Sequence, residues 1–525
     1  MTSVPHIHWI DYLILFLTLA ISLGAGFWFA NRQKNTDSYF KASGSIPSWA
    51  IGMSILATLI SSITFLAYPG EGFQSNWILL VQGLMVPVVL VAIVGFVVPL
   101  FRHVIQLSTY EYFEKRFGFF ARMYTSVSFI LTHFSKMGTV FFLIALAMSK
   151  MIGIDTVTII WVIGAAVILL TLMGGIEAVI WLDVIQGFLL IIGGVVSLFI
   201  LLFTPEGGPA AVWNVAMENG HIGFGPFDFD FVHLTFWVMV FNGIFYAIQK
   251  YGTDQTIVQR YLTAKTDKAA IRASLMGVLL SVPVWAMFMF IGTALFSYYK
   301  ITGDALPVGI EPEGVFPYFI LSKMPVGVVG LIISALMAAA ISSLDSDLNC
   351  LSAILMTDYY RRLRPNSTDR EMLHMGKLFI ILAGLGAVGI ALIYVHIGGE
   401  GVLGIVFELY SIFAGGIAGM FLLGIFSTRA NKKGLYWGIG ACILFTAWAM
   451  LTSTSFELDG QKRILLNLGE FNYTHHKYMI GVYSHVILMT VGYLASLAYP
   501  NEPVDPALTW IGWRRRQKQL KAKNQ

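Results

Sequence analysis

The sequence predicts an all-α polytopic membrane protein with about thirteen transmembrane helices. Three observations carry that expectation. Of 525 residues, 57% are hydrophobic and 12% charged, with a mean hydropathy of +0.74, whereas a soluble protein carries roughly 25% charged residues. Apolar runs of about 18 residues or more recur along the whole chain. Lys and Arg gather in alternate loops, 25 on one side against 6 on the other. The positive-inside rule places the rich side in the cytoplasm, with the N-terminus outside and the C-terminus inside. The chain therefore reads as one transmembrane domain over 1–525, multi-pass in the cell (inner) membrane. The net charge of +4 follows from this loop asymmetry and calls for no nucleic-acid partner.

The elements follow in order. The run at 9–30 is too long for a signal-peptide core and lacks a small-residue cleavage site, so it is expected to stay as an extra N-terminal helix. The next spans are expected near 48–68, closed by Pro69; 76–101, ending at Arg102; and 119–148, with Lys136 inside it. Two more lie near 155–173 and 177–203, on either side of Gly174-Gly175. Spans near 232–252, 270–298, 327–358, 374–395 and 402–426 follow, and 434–451 and 478–499 complete the set. The tail at 500–525, with WRRRQKQLKAKNQ at its end, reads as a stop-and-orient signal. A sensor is expected to append a soluble signalling domain, and about 26 residues follow the last span. Cys350 and Cys442 both sit in apolar runs and imply no disulfide framework.

Polar residues inside the spans are costly and default to functional hypotheses. In AAAISSLDSDLN (338–349), Ser342, Asp345, Ser346 and Asn349 repeat at i, i+3, i+4, i+7 and form one helix stripe. GGIEAVIWLDVIQG (174–187) puts Asp183 at a similar depth in another span. Oxygen donors without Cys or His suit a hard cation. The blander reading has the serines bonding to their own i−4 carbonyls and the acids pairing with a lysine. SILATLISSITFLAYP (54–69) clusters Thr58, Ser61, Ser62 and Thr64 at mid-span, where an unwound turn would free carbonyls. Five spans later, AIQKYGTDQTIVQRY (247–261) offers a similar polar interruption, and such pairs point to a transporter's binding site. An enzyme is not expected: His133 and His485 are isolated in spans, and His475 and His476 cannot face one another to hold a metal.

The stretches SSITF (61–65), GGIEAVIWLDVIQG (174–187), TDQTIVQRY (253–261), AAAISSLDSDLN (338–349) and GGIAGMFLLGIF (415–426) resemble, in order, those of the sodium:solute symporter family. The resemblance covers roughly residues 10–450. It implies a LeuT-like five-plus-five inverted repeat, with repeats near 48–203 and 232–426, one extra helix before and two accessory helices (434–499) after. It implies Na+ as coupling ion and no other cofactor. By match, the main sodium site would use the carbonyls of Ala57, Ile60 and Ala339 and the hydroxyls of Ser342 and Ser343. A second site would use Asp183, Asp345 and Ser346; Leu182 stands where the family often has Thr, and Asp345 where the sialic acid transporters have a serine.

For the solute, the resemblance implies Ser61, Thr64, Gln82, Lys136, Gln249, Lys250 and Glu408. Thr64 replaces the histidine of glucose-type members, and the span 270–298 lacks their lysine. Lys136 stands where sialic acid transporters hold an arginine that grips a carboxylate. The expectation is a symporter for a sugar or acidic sugar, with Lys136 on the solute; alternatively Lys136 pairs with Glu408 or Asp183 and never meets it. Other readings are a neutral sugar, polyol or monocarboxylate, or a sensor or channel on the same fold.

Overall fold

The computed structural model describes residues 7–30, 36–42, 46–397, 415–458 and 461–523. Its helices are α1 (Trp9–Ala30), α2 (Thr36–Lys41), α3 (Ser48–Leu59), α4 (Ser62–Gln74), α5 (Leu80–Val104), α6 (Glu111–Phe117), α7 (Phe119–Ile152) and α8 (Thr156–Phe203). They continue with α9 (Gly208–Glu218), α10 (Phe236–Gly252), α11 (Gln255–Leu262), α12 (Asp267–Thr302), α13 (Pro312–Lys323), α14 (Val328–Ile354), α15 (Arg361–Leu363) and α16 (Asp369–Ile397). The last are α17 (Ile417–Phe426), α18 (Lys432–Ser453), α19 (Tyr478–Leu497) and α20 (Trp510–Lys523), with a short hairpin, Ser455–Leu458 against Gln461–Ile464, between α18 and α19.

Among the described residues, nine helices are long and apolar enough to cross a membrane, or ten if the bent pair α3 and α4 is one span. The distance from the expected thirteen has physical causes. At about 1.5 Å per residue, the 48 residues of α8 would run roughly 72 Å, over twice a hydrocarbon core of about 30 Å. The helix breaks at Gly175, whose φ of 57° and ψ of −170° interrupt the hydrogen-bond ladder, so it holds the two crossings expected near 155–173 and 177–203. A Cβ at Gly175 would stand 2.7 Å from the Tyr39 carbonyl, so the kink needs glycine on two counts. At 17 residues, α10 is just short of a full span. Of the span expected near 402–426, only the end from 415 is described.

The chain divides into two compact units. The first holds Met1–Gly83, His133–Gly225 and Gln259–Gly404. Its centre is α14, whose membrane-spanning stretch is 83% buried. Around α14 pack α1, α3, α8 and α16. By contrast α1 shows Phe16, Phe27 and Trp28 on its surface, the apolar exposure that lipid permits and water does not. Its one buried charge has a job: Asp11 accepts from the backbone N–H of Gly327 (2.7 Å) and Gly330 (2.8 Å), capping the start of α14. α4 and α12 approach through Gly72 and Gly292, where added Cβ atoms would meet backbone at 2.2 and 2.1 Å. Such small-residue contacts are how helices close-pack without a hydrophobic drive.

The second unit holds Leu84–Thr132, Pro226–Val258 and Ile405–Gln525. Within it α18 and α19 pair closely, and α10 and α17 pack on α19. Arg116, largely buried, is satisfied by carbonyls: its Nε donates to Gly424 (3.1 Å) and its Nη2 to Ser427 (2.6 Å) and Ala430 (3.0 Å).

Candidate ion and solute site

The helix break anticipated near residue 60 is present. α3 stops at Leu59, Ile60 and Ser61 are extended, and α4 restarts at Ser62 with a bend of 56°. Ser61 caps the new helix by accepting from the Ile63 N–H at 3.2 Å. The last carbonyls of α3 therefore lose their helical partners. One of them, Ala57 O, faces α14 and accepts from the Ser342 hydroxyl at 3.1 Å. The same hydroxyl lies 3.2 Å from Ala339 O. Ser343 is fully buried and its Oγ has no hydrogen-bond partner. Four oxygens, the carbonyls of Ala57 and Ala339 and the hydroxyls of Ser342 and Ser343, thus belong to the meeting of α3 and α14.

 The Ala339 contribution is its backbone carbonyl, one turn before Ser342 on the same helix. The backbone of Ile60, expected as a further ligand, sits in the extended link itself.

One turn toward the C-terminal end of α14 lies a second polar cluster. Asp183 of α8 accepts from Ser54 Oγ (2.5 Å) and from Arg260 Nη2 (2.9 Å) through one oxygen, Oδ2. Arg260 also donates from Nε to Ser54 Oγ at 2.7 Å, and its Nη2 contacts Ser346 Oγ. Ser346 is within 3.3 Å of Asp345 Oδ1, donates to Ser342 O at 2.5 Å and lies 3.4 Å from Thr58 Oγ1. Its i−4 bond is the local pairing that sequence reasoning weighed as the blander role for these serines. Asp183 and Asp345 are both buried, and Asp183 Oδ1 and Asp345 Oδ2 lack hydrogen-bond partners. With both carboxylates ionised against one guanidinium, the cluster carries one net negative charge. A single monovalent cation would neutralise it, and unpaired carboxylate oxygens are the donors a hard cation takes.

Arg260 is the residue that sequence reasoning missed. Its place between two spans puts it with the loop charges; the structure buries it completely, because α11 follows α10 after only Thr253 and Asp254 and carries Arg260 inward. The signal was available in TDQTIVQRY, where the arginine sits in the same polar interruption as Asp254.

Among the solute candidates in the first unit, Ser61, Thr64 and Gln82 are buried. Lys136 is not paired with Asp183, the one of its two anticipated acids that lies among the described residues. Its Nζ lies 3.0 Å from Asp347 Oδ2 and 3.2 Å from Oδ1, and His133 Nδ1 approaches the same carboxylate at 2.9 Å. His133, expected merely to be packed, is therefore part of a polar cluster. Glu408 lies outside the described residues. In the second unit, Lys250, one of the solute candidates, has carboxylate and hydroxyl partners of its own. Its Nζ is held by Asp254 Oδ2 at 2.8 Å and Thr256 Oγ1 at 3.2 Å, since the turn after α10 brings the i+4 carboxylate back onto it. Gln249 is buried with its Oε1 unpartnered. Among the described residues no group of three or more His, Cys, Asp or Glu could hold a metal ion; the ion candidates are built from hydroxyls, carbonyls and the pair of carboxylates Asp183 and Asp345.

A broken helix crossing a second helix, with hydroxyls and freed carbonyls converging in a multi-pass membrane protein, defines an ion-coupled membrane transporter. The sodium:solute symporter family model matches residues 39–441, and the chain belongs to that family. It is 33% identical over 494 residues to the sodium/sialic acid symporter NanT of Aliivibrio fischeri, covering 94% of each chain. It is 36% identical over 439 residues to the sodium/sialic acid symporter SiaT of Proteus mirabilis, covering 83% of this chain and 88% of that one. A solved substrate-bound, outward-open Na+-coupled sialic acid symporter superposes with a TM-score of 0.84 at 31% identity, over 94% of this chain and 99% of the other. The chain thus shares the all-α, inverted-repeat transporter architecture, and it is not an enzyme.

Proposed function

We propose that this protein is a sodium-coupled symporter that imports an acidic sugar, with sialic acid the first solute to test. The observation that carries the coupling ion is the 3.1 Å contact between Ser342 Oγ and Ala57 O. It supports a main sodium site of Ala57, Ile60, Ala339, Ser342 and Ser343, in which the ion replaces the contact and takes both oxygens as ligands. Because the ligands come from both sides of the helix break, occupancy by Na+ favours the arrangement in which α3 and α14 are drawn together. A solute then binds a preorganised site, and each ligand raises the affinity of the other by the same factor. The second cluster, Asp183, Asp345 and Ser346, supports a second cation, because Arg260 leaves one of its two carboxylate charges uncompensated.

The acidic solute rests on Lys136, a cation in the middle of a membrane span, together with the names of the two relatives. Ser61, Thr64 and Gln82 in the first unit, and Gln249 in the second, are proposed as further solute contacts. In Lys250 the role is to hold Asp254 and shape the second break. The repeats are placed at 48–203 and 232–426, each opening on a broken helix pair: α3 with α4, and α10 with α11. The loop charges put the protein in the cell membrane with its N-terminus outside and its C-terminus in the cytoplasm. A neutral solute is the second reading, favoured by one observation: Lys136 already has a carboxylate in Asp347.

Uptake into proteoliposomes decides between them. The panel is sialic acid, a uronic acid and a neutral hexose, each with an inward sodium gradient, with potassium in its place, and with Lys136→Ala. Sodium-dependent uptake of an acid, lost in the variant, is the expected result. Equal uptake in potassium would overturn the coupling ion, and uptake of the hexose alone would overturn the acidic solute.

A further inference from the structure

We infer that Asp347 is a built-in stand-in for the solute's carboxylate: it holds Lys136 while the site is empty and must give it up when an anionic solute binds. The inference rests on the reading of the solute as an acid and adds to it a residue that sets how tightly acids are held.

The geometry separates Asp347 from the ion clusters. Asp345 and Asp347 are two residues apart on α14, about 200° around the helix at 3.6 residues per turn. Asp345 turns to Ser346 and the Arg260 cluster, while Asp347 turns to α7 and meets Lys136 and His133. Asp347 is 0% exposed, whereas the Lys136 side chain retains 20% exposure. The lysine is therefore the member of the pair that can reach a visitor. Its chain is flexible and carries a point charge, so it can move between two carboxylates without needing the fixed fork of an arginine.

Departure of the lysine would strand a buried carboxylate, and removing one partner of a buried pair is costly. His133 reduces that cost. It approaches Asp347 from one turn earlier on α7, and Nδ1 remains as a hydrogen-bond partner after Lys136 has swung away. The pair is then a competitor of fixed, very high local concentration. Apparent affinity for an acid equals the intrinsic affinity reduced by the fraction of lysine that is available. A neutral analogue that never engages Lys136 does not meet this competition. Asp347 is thus a positioning residue for selectivity, acting through Lys136.

The test measures binding of sialic acid and of its methyl ester to the purified full-length protein in saturating sodium. In Asp347→Asn the acid should bind about tenfold more tightly relative to the ester, since a neutral acceptor holds the lysine far less firmly than a carboxylate. His133→Gln should shift the ratio the other way, as Asp347 then depends more on Lys136. In a Lys136→Met background, Asp347→Asn should leave the ratio unchanged. Asp347→Ser, which also removes the competing charge, serves if the Asn variant does not fold. An unchanged acid-to-ester ratio in both Asp347 variants, or a ratio shifted toward the ester, overturns the inference. If wild-type protein binds neither compound, it is the acidic-sugar reading that fails, and the two failures are distinguishable.

Discussion

Replacing Ser343 by Ala removes one oxygen from the proposed main sodium site and nothing else that the structure uses. Ser343 is fully buried, and its Oγ has no partner in the ion-free protein. Taking away a buried hydroxyl that pairs with nothing is close to neutral for folding, because no bond is lost and a desolvation cost is relieved. Its neighbour Ser342 differs, since it donates to Ala57 O and Ala339 O and its loss would disturb packing as well. The ion feels Ser343→Ala fully. A contact between a charge and a hydroxyl is worth about 1.5–3 kcal/mol, which at 1.4 kcal/mol per tenfold is a rise of about 10- to 100-fold in the sodium needed for half-maximal transport. Sodium-dependent uptake measures that shift directly. Thermal unfolding with and without sodium gives the second readout: the melting temperature without sodium should match wild type, while the stabilisation by sodium should shrink, as mass action requires. A sodium dependence equal to that of wild type would remove Ser343 from the ligand set.

Two further outcomes follow from the geometry. Arg260→Gln leaves Asp183 and Asp345 facing one another without their guanidinium; breaking a buried pair costs about 3–5 kcal/mol, so the melting temperature should fall sharply and partly recover at high sodium, and an unchanged melting temperature would refute the charge count. In the loop before α19, burial first, then Lys477 and His233, depresses the His476 imidazole from 6.5 to about 4. The folded loop therefore keeps it neutral while the unfolded chain takes up a proton below 6.5, so the loop's stability is complete above pH 6.5 and declines as pH falls toward 4. Its Nδ1 accepts from the Tyr478 N–H at 3.3 Å, and its own N–H donates to Phe231 O at 2.7 Å. The protection of the His476 amide, taken relative to intrinsic exchange at each pH, should fall between pH 6.5 and 4 in wild type and stay level in His476→Gln; the same profile in both would refute the assignment.

Some of the site was legible in the chain and some was not. The break in the second span could be read from Thr58, Ser61, Ser62 and Thr64, because a cluster of hydroxyls at mid-span is costly unless backbone groups there need partners. The stripe of Ser342, Asp345 and Ser346 could be read from helical spacing alone. The partners of these groups could not. Arg260 looked like one more cytoplasmic charge, since charge counting carries no information on whether a short helix turns back into the protein. Lys136 invited pairing with Glu408 or Asp183, both intramembrane acids; Asp347 was overlooked because it stands off the stripe, on the other face of α14.

The chain by itself determined that it lives in a membrane and which residues are too polar to sit there without purpose. Those are local properties: the cost of putting an apolar run in water, or a charge in hydrocarbon, depends on the residue and its neighbours in sequence. The tertiary structure alone decided which charge answers which. Ser54, Asp183, Arg260 and Ser346 come from four separate segments. Coulomb and hydrogen-bond energies depend on distances of a few ångströms, and those distances are fixed by how helices rotate and cross, which no window of sequence contains.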